Sequence, residues 1–469
     1  MYNSRRNFIR NSTLVSMGFL GLNNYAVHTA VAGFSQDIFG FGPLVYNNNN
    51  ILALPKGFSC KVISRKGDRM SDGLLSPGAH DGMGAFKGKN GKVILIRNHE
   101  LSPGDDSNGS FGAKNELLGK LGRDKFFDFA KGERICHGGT TTLIYNEQSQ
   151  QVEQEYLSLT GTIRNCAGGI TPWNSWITCE ETALRAGDEN GALEKSHGFN
   201  FEVPATETIR LTNPLPLKEM GRFVHEAVTV DPQTGIVYQT EDMGDSIFYR
   251  FIPHQPGQLH KGGKLQCLSI PEWKSADTRN WETLHTPVFP QKRAFRTAWI
   301  DLDEVEAPDD DLRLRGYTKG ATRFARAEGI WYGKNELYFA CTSGGRKAQG
   351  QIFRYTPGPY EGKPREKEAP GTLELFSEPN NVDTFQSCDN LTIAPWGDVV
   401  ICEDKSDPRV IGITPQGETY VLAKNIGYRK SEFAGPVFSP SGKTLFINIQ
   451  TPGLTIAITG PWDKKISGI

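Results

Sequence analysis

The sequence lacks the features that mark several large classes of protein. Its charge is balanced, with 52 Lys and Arg against 53 Asp and Glu, and it contains no polybasic tract. A chain of this kind has no electrostatic footprint for nucleic acid, so we expect no polyanionic partner. The moderately apolar run at 13–21 is short and is soon followed by Asn23 and Asn24, whereas a membrane span needs about 20 apolar residues. We therefore expect no stable membrane anchor.

The eight cysteines form no CxxC pair and show no zinc-ribbon spacing. Cys179, Cys341 and Cys402 fall inside apolar strands, where a free thiol behaves as a small hydrophobic group. No serine or threonine motif identifies a covalent nucleophile. The sequence therefore points away from zinc ribbons and from covalent catalysis by a hydroxyl group.

The first 32 residues carry the features of an export signal. SRRNFI at 4–9 matches the twin-arginine pattern, an apolar run follows, and AVA at 30–32 provides a small-residue cleavage site. We predict that 1–32 form a twin-arginine signal peptide, read by the twin-arginine export machinery, and that 33–469 form one catalytic domain. Because that route carries folded proteins, we expect a periplasmic or secreted protein that acquires a metal or cofactor before export.

A hairpin phrase of about twenty residues recurs six times at intervals of roughly 45 to 100 residues. Each copy has a polar or small head residue, a short apolar strand, a turn, and a second apolar strand that ends on an acid or a polar residue. The copies are HDGMGAFKGKNGKVILIRNHE from His80, NCAGGITPWNSWITCEE from Asn165, VHEAVTVDPQTGIVYQTED from Val224, RAEGIWYGKNELYFACTSGG from Arg326, CDNLTIAPWGDVVICED from Cys388 and FAGPVFSPSGKTLFINIQ from Phe433.

These repeats predict an all-β fold, a six-bladed β-propeller with loop insertions at Leu101–Glu133 and Pro253–Arg315. A third strand follows each hairpin, and 52 Gly with 27 Pro supply the turns that such a fold needs. Heads and tails of a hairpin lie at the same end, so we expect them to meet at one mouth of the central channel. The heads are Asp81, Cys166, Glu226, Glu328 and Asp389, and the tails are Glu100, Glu181, Glu241, Thr342, Glu403 and Gln450.

The acids at the strand ends favour a metal cluster. One acidic pair alone is most simply a solvated strand end, but about ten carboxylates around one mouth would repel unless cations neutralise them. Oxygen donors in such numbers suit calcium. The candidate oxygen ligands are Asn98, Glu100, Glu180, Glu241, Asp242, Asp389, Asn390 and Glu403.

Cys166 stands where other repeats carry a carboxylate. A thiolate among Glu181, Glu226 and Glu328 suits ferric iron better than calcium, and such an ion generates hydroxide or bridging oxide at ordinary pH. The alternative is a buried thiol that only packs. We favour the metal ligand.

Arg326 precedes Glu328 by two residues, so in a strand both side chains share a face. A guanidinium next to a metal site can bind a phosphoryl group through two hydrogen bonds and absorb charge in the transition state. It can equally serve as a structural counter-ion to the acids. The residues alone leave both roles open.

Several motifs resemble those of the PhoX-type alkaline phosphatases over nearly the whole mature chain. They are the twin-arginine leader, RNHE at 97–100, GTIRNCAGG at 161–169, WITCEE at 176–181, GRFVHEAV at 221–228, RAEG at 326–329 and CDNL at 388–391. The resemblance implies a six-bladed propeller whose mouth holds an iron and calcium cluster and hydrolyses phosphate monoesters, here of small phosphorylated metabolites, outside the cytoplasm. It also implies iron at Cys166, Glu181, Glu226 and Glu328, substrate phosphate at Arg326, and calcium near the remaining acids.

Two other functions stay open at this stage. A calcium-dependent, lactonase-like propeller hydrolase would need one oxygen-lined ion and a histidine acid or base, and would have no use for Cys166. A non-catalytic binding propeller would explain the blades but not the massed acids. Metal content separates the three functions.

Overall fold

The computed structural model describes residues 39–46 and 50–466, so the expected signal peptide at 1–32 lies outside the described residues. Strands, numbered β1 to β29 in chain order, dominate the fold. Within these ranges the α-helices are the short α1 (Asp188–Gly191) and α2 (Leu312–Lys319). Within the described ranges, no helix is long and apolar enough to cross a membrane.

Six antiparallel sheets form the body of the protein, and we number them as blades in chain order. Blade 1 contains β4 (His80–Lys87), β5 (Lys92–His99), β6 (Gly138–Asn146) and β7 (Gln151–Thr162). Blade 2 contains β8 (Asn165–Ile170), β9 (Ser175–Glu180) and β10 (Asn200–Pro204). Blade 3 contains β11 (His225–Val230), β12 (Val237–Glu241), β14 (Tyr249–Pro253), β15 (Gly263–Ser269) and β17 (Ala298–Asp301).

The second half of the chain forms three further blades, partly with strands from elsewhere in the sequence. Blade 4 contains β19 (Ala327–Tyr332), β20 (Leu337–Cys341), β21 (Gln351–Thr356), β22 (Thr372–Ser377) and β16 (Ala294–Arg296). Blade 5 contains β23 (Cys388–Ile393), β24 (Val399–Glu403), β25 (Arg409–Ile413), β26 (Thr419–Asn425), β2 (Leu52–Pro55) and β1 (Leu44–Val45). Blade 6 contains β27 (Phe433–Phe438), β28 (Thr444–Ile449), β29 (Leu454–Thr459) and β3 (Ser59–Arg65). A separate two-stranded sheet joins β13 (Ser246–Ile247) to β18 (Arg323–Phe324).

The first strands of the six blades form a closed ring around the axis. Each of β4, β8, β11, β19, β23 and β27 contacts the next, and β27 contacts β4. The predicted six-bladed propeller is therefore confirmed. Closure depends on β3, which pairs with β29 along its whole length and so ties the start of the chain to the last blade. A ring closed in this way has no free inner edge.

The apolar core lies between the blades. At the interface of blades 3 and 4, the ring of Phe248 stacks on Phe339 at a centroid distance of 4.6 Å, and Phe339 stacks on Phe353 at 5.3 Å. All three rings are fully buried. Truncation of Phe339 to alanine would cost about 3 to 5 kcal/mol, the usual range for a buried phenylalanine.

The segment Pro253–Arg315 is more regular than the loop insertion that its sequence predicts. It contains β15 and β17, which extend blade 3, and β16, which pairs with β22 of blade 4. The apolar alternation in KLQCLS at 264–269 is the strand signal. Residues 101–137 do form an insertion between β5 and β6, with a small core around Phe111 and Phe126.

Every inner strand carries a β-bulge near its first residue. Pairing shifts by one residue between 80 and 83, 165 and 168, 225 and 228, 327 and 330, 388 and 391, and 434 and 437. A bulge re-aims the side chains at its position. The six bulges fall where the head residues lie, so one local irregularity recurs around the whole mouth.

The residue after the head is small because the inner strands come very close together. A Cβ on Gly82 would lie 2.6 Å from the Cα of Ala167 in the next blade, and a Cβ on Gly329 would lie 2.7 Å from the Cα of Asn390. Neither position has room for a side chain. Glycine there lets the strands, and with them the head residues, crowd around the axis.

Candidate active site

The heads and several tails of the repeats line one cavity of about 150 Å³ at the mouth of the channel. Below it, where Met83, Trp176 and Trp331 fill the channel, only about 20 Å³ is free. A ligand therefore reaches the cavity from the mouth side. The cavity is lined by Asp81, Glu100, Arg164, Cys166, Glu181, Glu226, Arg326, Glu328, Asp389, Asp404, Glu432 and Gln450.

One backbone hydrogen bond places the tail residue in every blade. The tail N–H donates to the carbonyl of the residue before the inner strand. The pairs are Glu100 to Ala79, Glu181 to Arg164, Asp242 to Val224, Thr342 to Arg326, Asp404 to Ser387 and Gln450 to Glu432. In blades 3 and 5 the tail is therefore Asp242 and Asp404, one residue later than the predicted Glu241 and Glu403.

The first acid of each acidic pair is part of the fold and does not line the cavity. Glu180 accepts hydrogen bonds from His197 Nδ1 at 2.6 Å and from backbone N–H groups. Glu241 accepts from the Tyr249 hydroxyl at 2.8 Å. Glu403 accepts from the backbone N–H and the guanidinium of Arg409. None of these three predicted metal ligands lines the mouth cavity, so the structure gives that predicted role no support.

Two predicted amide ligands also have other partners. Asn98 Nδ2 donates to the carbonyls of Cys166 and Ala167, and its Oδ1 accepts from Trp176 and Thr178. Asn390 Oδ1 accepts from the backbone N–H of Gly435 at 2.7 Å. Both amides cross-link neighbouring blades beneath the mouth. Neither of these predicted metal ligands lines the mouth cavity, so the structure gives that predicted role no support.

Nine donor residues remain around the mouth, and eight of them fall into three compact groups. Within each group, one ligand atom per residue lies within 4.8 Å of the others. Glu226 belongs to two groups and so joins them. The groups are Cys166, Glu181 and Glu226; Glu226, Glu328 and Asp389; and Asp81, Glu100 and Glu432.

Burial and mutual repulsion raise the pKa values of several carboxyl groups at the mouth. Burial and then the charge of Glu100 raise the pKa of Glu181 to about 9. Burial and then the charges of Asp389 and Asp81 raise the pKa of Glu432 to about 11. Without cations Glu181 and Glu432 hold protons at neutral pH, so a bound cation would displace these protons and stabilise the charged forms.

Cys166 is buried beside carboxyl groups at the mouth. Its Sγ is 3.4 Å from the carbonyl oxygen of His225 and 3.3 Å from that of Glu226. Burial and then the charge of Glu226 raise the pKa of this thiol well above its usual value. A soft metal ion would be needed to hold the thiolate form here. Cys179, by contrast, is a fully buried thiol within β9 and does not line the mouth cavity.

Two arginines stand at the cavity wall with 41% of each side chain exposed. Arg326 donates two hydrogen bonds to Asp242, at 2.7 and 2.8 Å, and lies 2.9 Å from Glu328. Arg164 lies 2.7 Å from Glu100 and also contacts Glu181. The side chain of Asp242 thus orients Arg326 and does not itself line the cavity.

Three residues that line the mouth are absent from the site that the sequence predicts. Asp404 is the second acid of a pair, and the position of the tail residue in the other blades would have identified it. Glu432 stands directly before an inner strand whose head is Ala434, so no acid marks the head of that repeat. Arg164 occupies the same place before β8 that Arg326 occupies before β19, a correspondence that the aligned repeats already contain.

A second cavity in the structure is larger than the mouth cavity. A cavity of about 640 Å³ lies beside Phe127, Phe199 and Arg222. Its acids, Glu194 and Glu306, are paired with Arg123 and Lys218. The smaller mouth cavity is the better candidate because its thiol and massed carboxyl groups are metal donors.

The chain is similar to one known family and to several solved structures. The profile of the family described as alkaline phosphatase PhoX matches residues 39–453. The structure is similar to Pseudomonas fluorescens PhoX in complex with vanadate, a transition state analogue, with 17% identity, a TM-score of 0.65, and coverage of 90% of this chain and 98% of that one. A gluconolactonase of Xanthomonas campestris matches at 12% identity and a TM-score of 0.35, over 86% and 96% of the two chains. No curated protein matches the sequence significantly.

Proposed function

The chain belongs to the PhoX alkaline phosphatase family and is a phosphatase, and from this premise we propose that it hydrolyses phosphate monoesters at a metal cluster in its channel mouth. The observation that carries the proposal is the mouth itself, where eight carboxyl groups and one thiol face two guanidinium groups. Such an excess of acid is stable in the ionised form only when cations neutralise it. We propose iron and calcium as those cations.

The donor types at the mouth fit both ions. Cys166 and Glu181 would bind iron together with Glu226, because a thiolate with carboxylates suits a borderline transition metal. Glu328 joins this set through Glu226. The group of Asp81, Glu100 and Glu432 offers oxygen atoms only and suits calcium, and Asp389 and Asp404 are further candidates.

When bound, the ions supply the Lewis-acid charge that phosphoryl transfer requires. Arg326 would bind two phosphoryl oxygens and stabilise the charge that spreads over them in the transition state. Its two hydrogen bonds to Asp242 hold the guanidinium plane in one orientation before the substrate arrives. Because the channel is filled below the cavity, the ester group must point out of the mouth.

We further propose that the chain is exported in the folded state through the twin-arginine pathway and acts in the periplasm or outside the cell. The SRRNFI motif and the AVA site support this localisation. The mature catalytic domain would then be 33–469. Small phosphorylated metabolites are the proposed substrates, and the cavity of about 150 Å³ accommodates their phosphate group.

The lactonase alternative has less support. Such an enzyme needs a histidine acid or base at its ion, yet no histidine is among the described residues that line the mouth. His99 and His225 are buried, and each makes a hydrogen bond to a backbone carbonyl. The thiol of Cys166 would also have no role.

Turnover of a chromogenic phosphomonoester tests the proposal. Arg326→Ala should lower kcat/KM by roughly ten- to a thousandfold, the range expected when one preorganised donor to transition-state charge is lost. Its iron and calcium content should stay unchanged. Arg185→Ala is the matched control, since Arg185 is half-exposed and lies outside the cavity. A phospho-enzyme trapped on a serine or threonine would contradict the proposal.

A further inference from the structure

We propose that Arg164 is a second phosphate-binding arginine and that, with Arg326, it selects monoesters over diesters. The inference deepens the phosphatase function proposed above and rests on it. It begins from the register of the blades, which places Arg164 and Arg326 at corresponding positions two blades apart.

Both arginines are held by the same backbone device. Each directly precedes an inner strand and has a left-handed backbone, with φ of 49° at Arg164 and 51° at Arg326. Each also accepts the tail N–H of its own blade through its carbonyl, from Glu181 at 2.9 Å and from Thr342 at 3.0 Å. The corresponding residues of blades 1 and 5 share this conformation, with φ of 45° and 47°, so it is a feature of the repeat. Blades 2 and 4 therefore present their arginines to the mouth in the same way.

The acids that hold the two arginines also correspond. Arg164 contacts Glu100, the tail of the preceding blade 1, and Arg326 contacts Asp242, the tail of the preceding blade 3. In both cases 41% of the side chain stays exposed at the cavity wall. The corresponding positions in the other four blades are Ala79, Val224, Ser387 and Glu432, which carry no positive charge.

The donor groups place these arginines on two sides of one carboxylate. Arg164 contacts Glu181 of the first group, and Arg326 contacts Glu328 of the second. The two groups share Glu226 of blade 3, which lies between blades 2 and 4. A phosphoryl group bound across Glu226 would therefore meet a guanidinium from each side.

Two guanidinium groups match a monoester better than a diester. A phosphate monoester carries three non-bridging oxygens and up to two negative charges, whereas a diester carries two such oxygens and one charge. Arginine binds phosphate through paired N–H donors in a fixed fork. One arginine is enough to bind the two non-bridging oxygens of a diester. Only the monoester dianion uses the hydrogen bonds and the charge of the second arginine in full. Arg164 thus contributes to binding the free phosphate product as well as the monoester.

The test measures phosphate binding apart from turnover. Titration calorimetry of the metal-loaded protein with inorganic phosphate should give a dissociation constant roughly ten- to a hundredfold higher for Arg164→Ala than for the wild-type protein. This is the loss expected when a hydrogen-bonded charge partner is removed. Arg164→Lys should recover part of this loss, because lysine keeps the charge and not the fork. Arg185→Ala should bind phosphate as the wild-type protein does. The ratio of kcat/KM for a p-nitrophenyl monoester to that for the bis-p-nitrophenyl diester should fall in Arg164→Ala.

The contrary outcomes are distinct from failure of the phosphatase function. If Arg164→Ala loses part of its iron or calcium but binds phosphate as tightly as the wild-type protein, then Arg164 is a counter-ion to Glu100 and Glu181. The inference is then wrong. An unchanged monoester-to-diester ratio would also overturn it. If the wild-type protein binds phosphate through Arg164 but turns over no monoester, the inference stands and the proposed function fails. A wild-type protein that binds no phosphate overturns both.

Discussion

Replacement of Asp389 by asparagine should raise the stability of the metal-free protein and lower that of the metal-loaded protein. Burial and then the charge of Asp404 raise the pKa of Asp389 from 3.8 to about 7, although a hydrogen bond from Asn390 acts in the opposite direction. An acid whose pKa rises on folding keeps its proton in the native state. The native state therefore loses stability as the pH rises from about 4 to about 7, and the loss stays constant above that range.

The size of the effect follows from the shift. Roughly three pKa units, at about 1.36 kcal/mol each, give on the order of 4 kcal/mol at pH 8. For a chain of 469 residues this corresponds to about 4 °C in Tm. Asparagine removes the ionisable group with little change of shape, so the variant should unfold at a higher temperature at pH 8. Near pH 4 the difference should vanish, because there both proteins are uncharged at this position.

Scanning calorimetry of chelator-treated protein at about pH 4, 6 and 8 measures this difference. Asp128→Asn is the control of opposite sign. Burial raises the pKa of Asp128, but hydrogen bonds from His197 and from backbone N–H groups outweigh burial and lower it overall. Loss of that carboxylate should lower Tm at pH 8. A metal-free Asp389→Asn protein that is less stable than wild type at pH 8, or a Tm difference independent of pH, would refute the reasoning.

Three further predictions follow from the site and the leader. Cys166→Ser should lose iron and most activity, because an alcohol stays protonated where a thiolate binds. Metal analysis and turnover measure this, and Cys179→Ser should keep both. Full iron content in Cys166→Ser would contradict a ligand role. Glu180→Gln should lower Tm, because it removes one of the two carboxylates paired with buried His197, and should leave metal content unchanged. Loss of metal at the wild-type Tm would contradict this structural role. Replacement of Arg5 and Arg6 by lysine should leave folded precursor in the cytoplasm, as cell fractionation would show. Export at the normal level would mean that the leader is read by another route.

The sequence was sufficient for the fold because each hairpin repeats one plan. The heads could be recognised as well, since a polar residue followed by glycine, alanine or asparagine opens five of the six repeats. Close packing around the axis explains this pairing, as the space around Gly82 and Gly329 shows. Periodicity and composition therefore carry information about which residues face the mouth.

The tails were harder because an acidic pair contains no signal for its register. In Glu241-Asp242 and Glu403-Asp404, either acid satisfies the pattern, and only strand pairing decides which one reaches the mouth. Asn98 shows a second limit. Its amide looks like an oxygen ligand in the sequence, but the partners that occupy it lie about 70 residues or more away, in blade 2. Such contacts follow from blade packing and not from local pattern.

Elemental analysis of the purified protein, combined with turnover of a chromogenic phosphomonoester, tests the central claim most directly. The acidic mouth should hold both iron and calcium. Chelation should abolish turnover, and adding calcium back should restore it, because oxygen-rich carboxylate sites exchange that ion readily. Phosphatase activity that persists without metal, or a protein that binds calcium alone and hydrolyses lactones, would contradict the account.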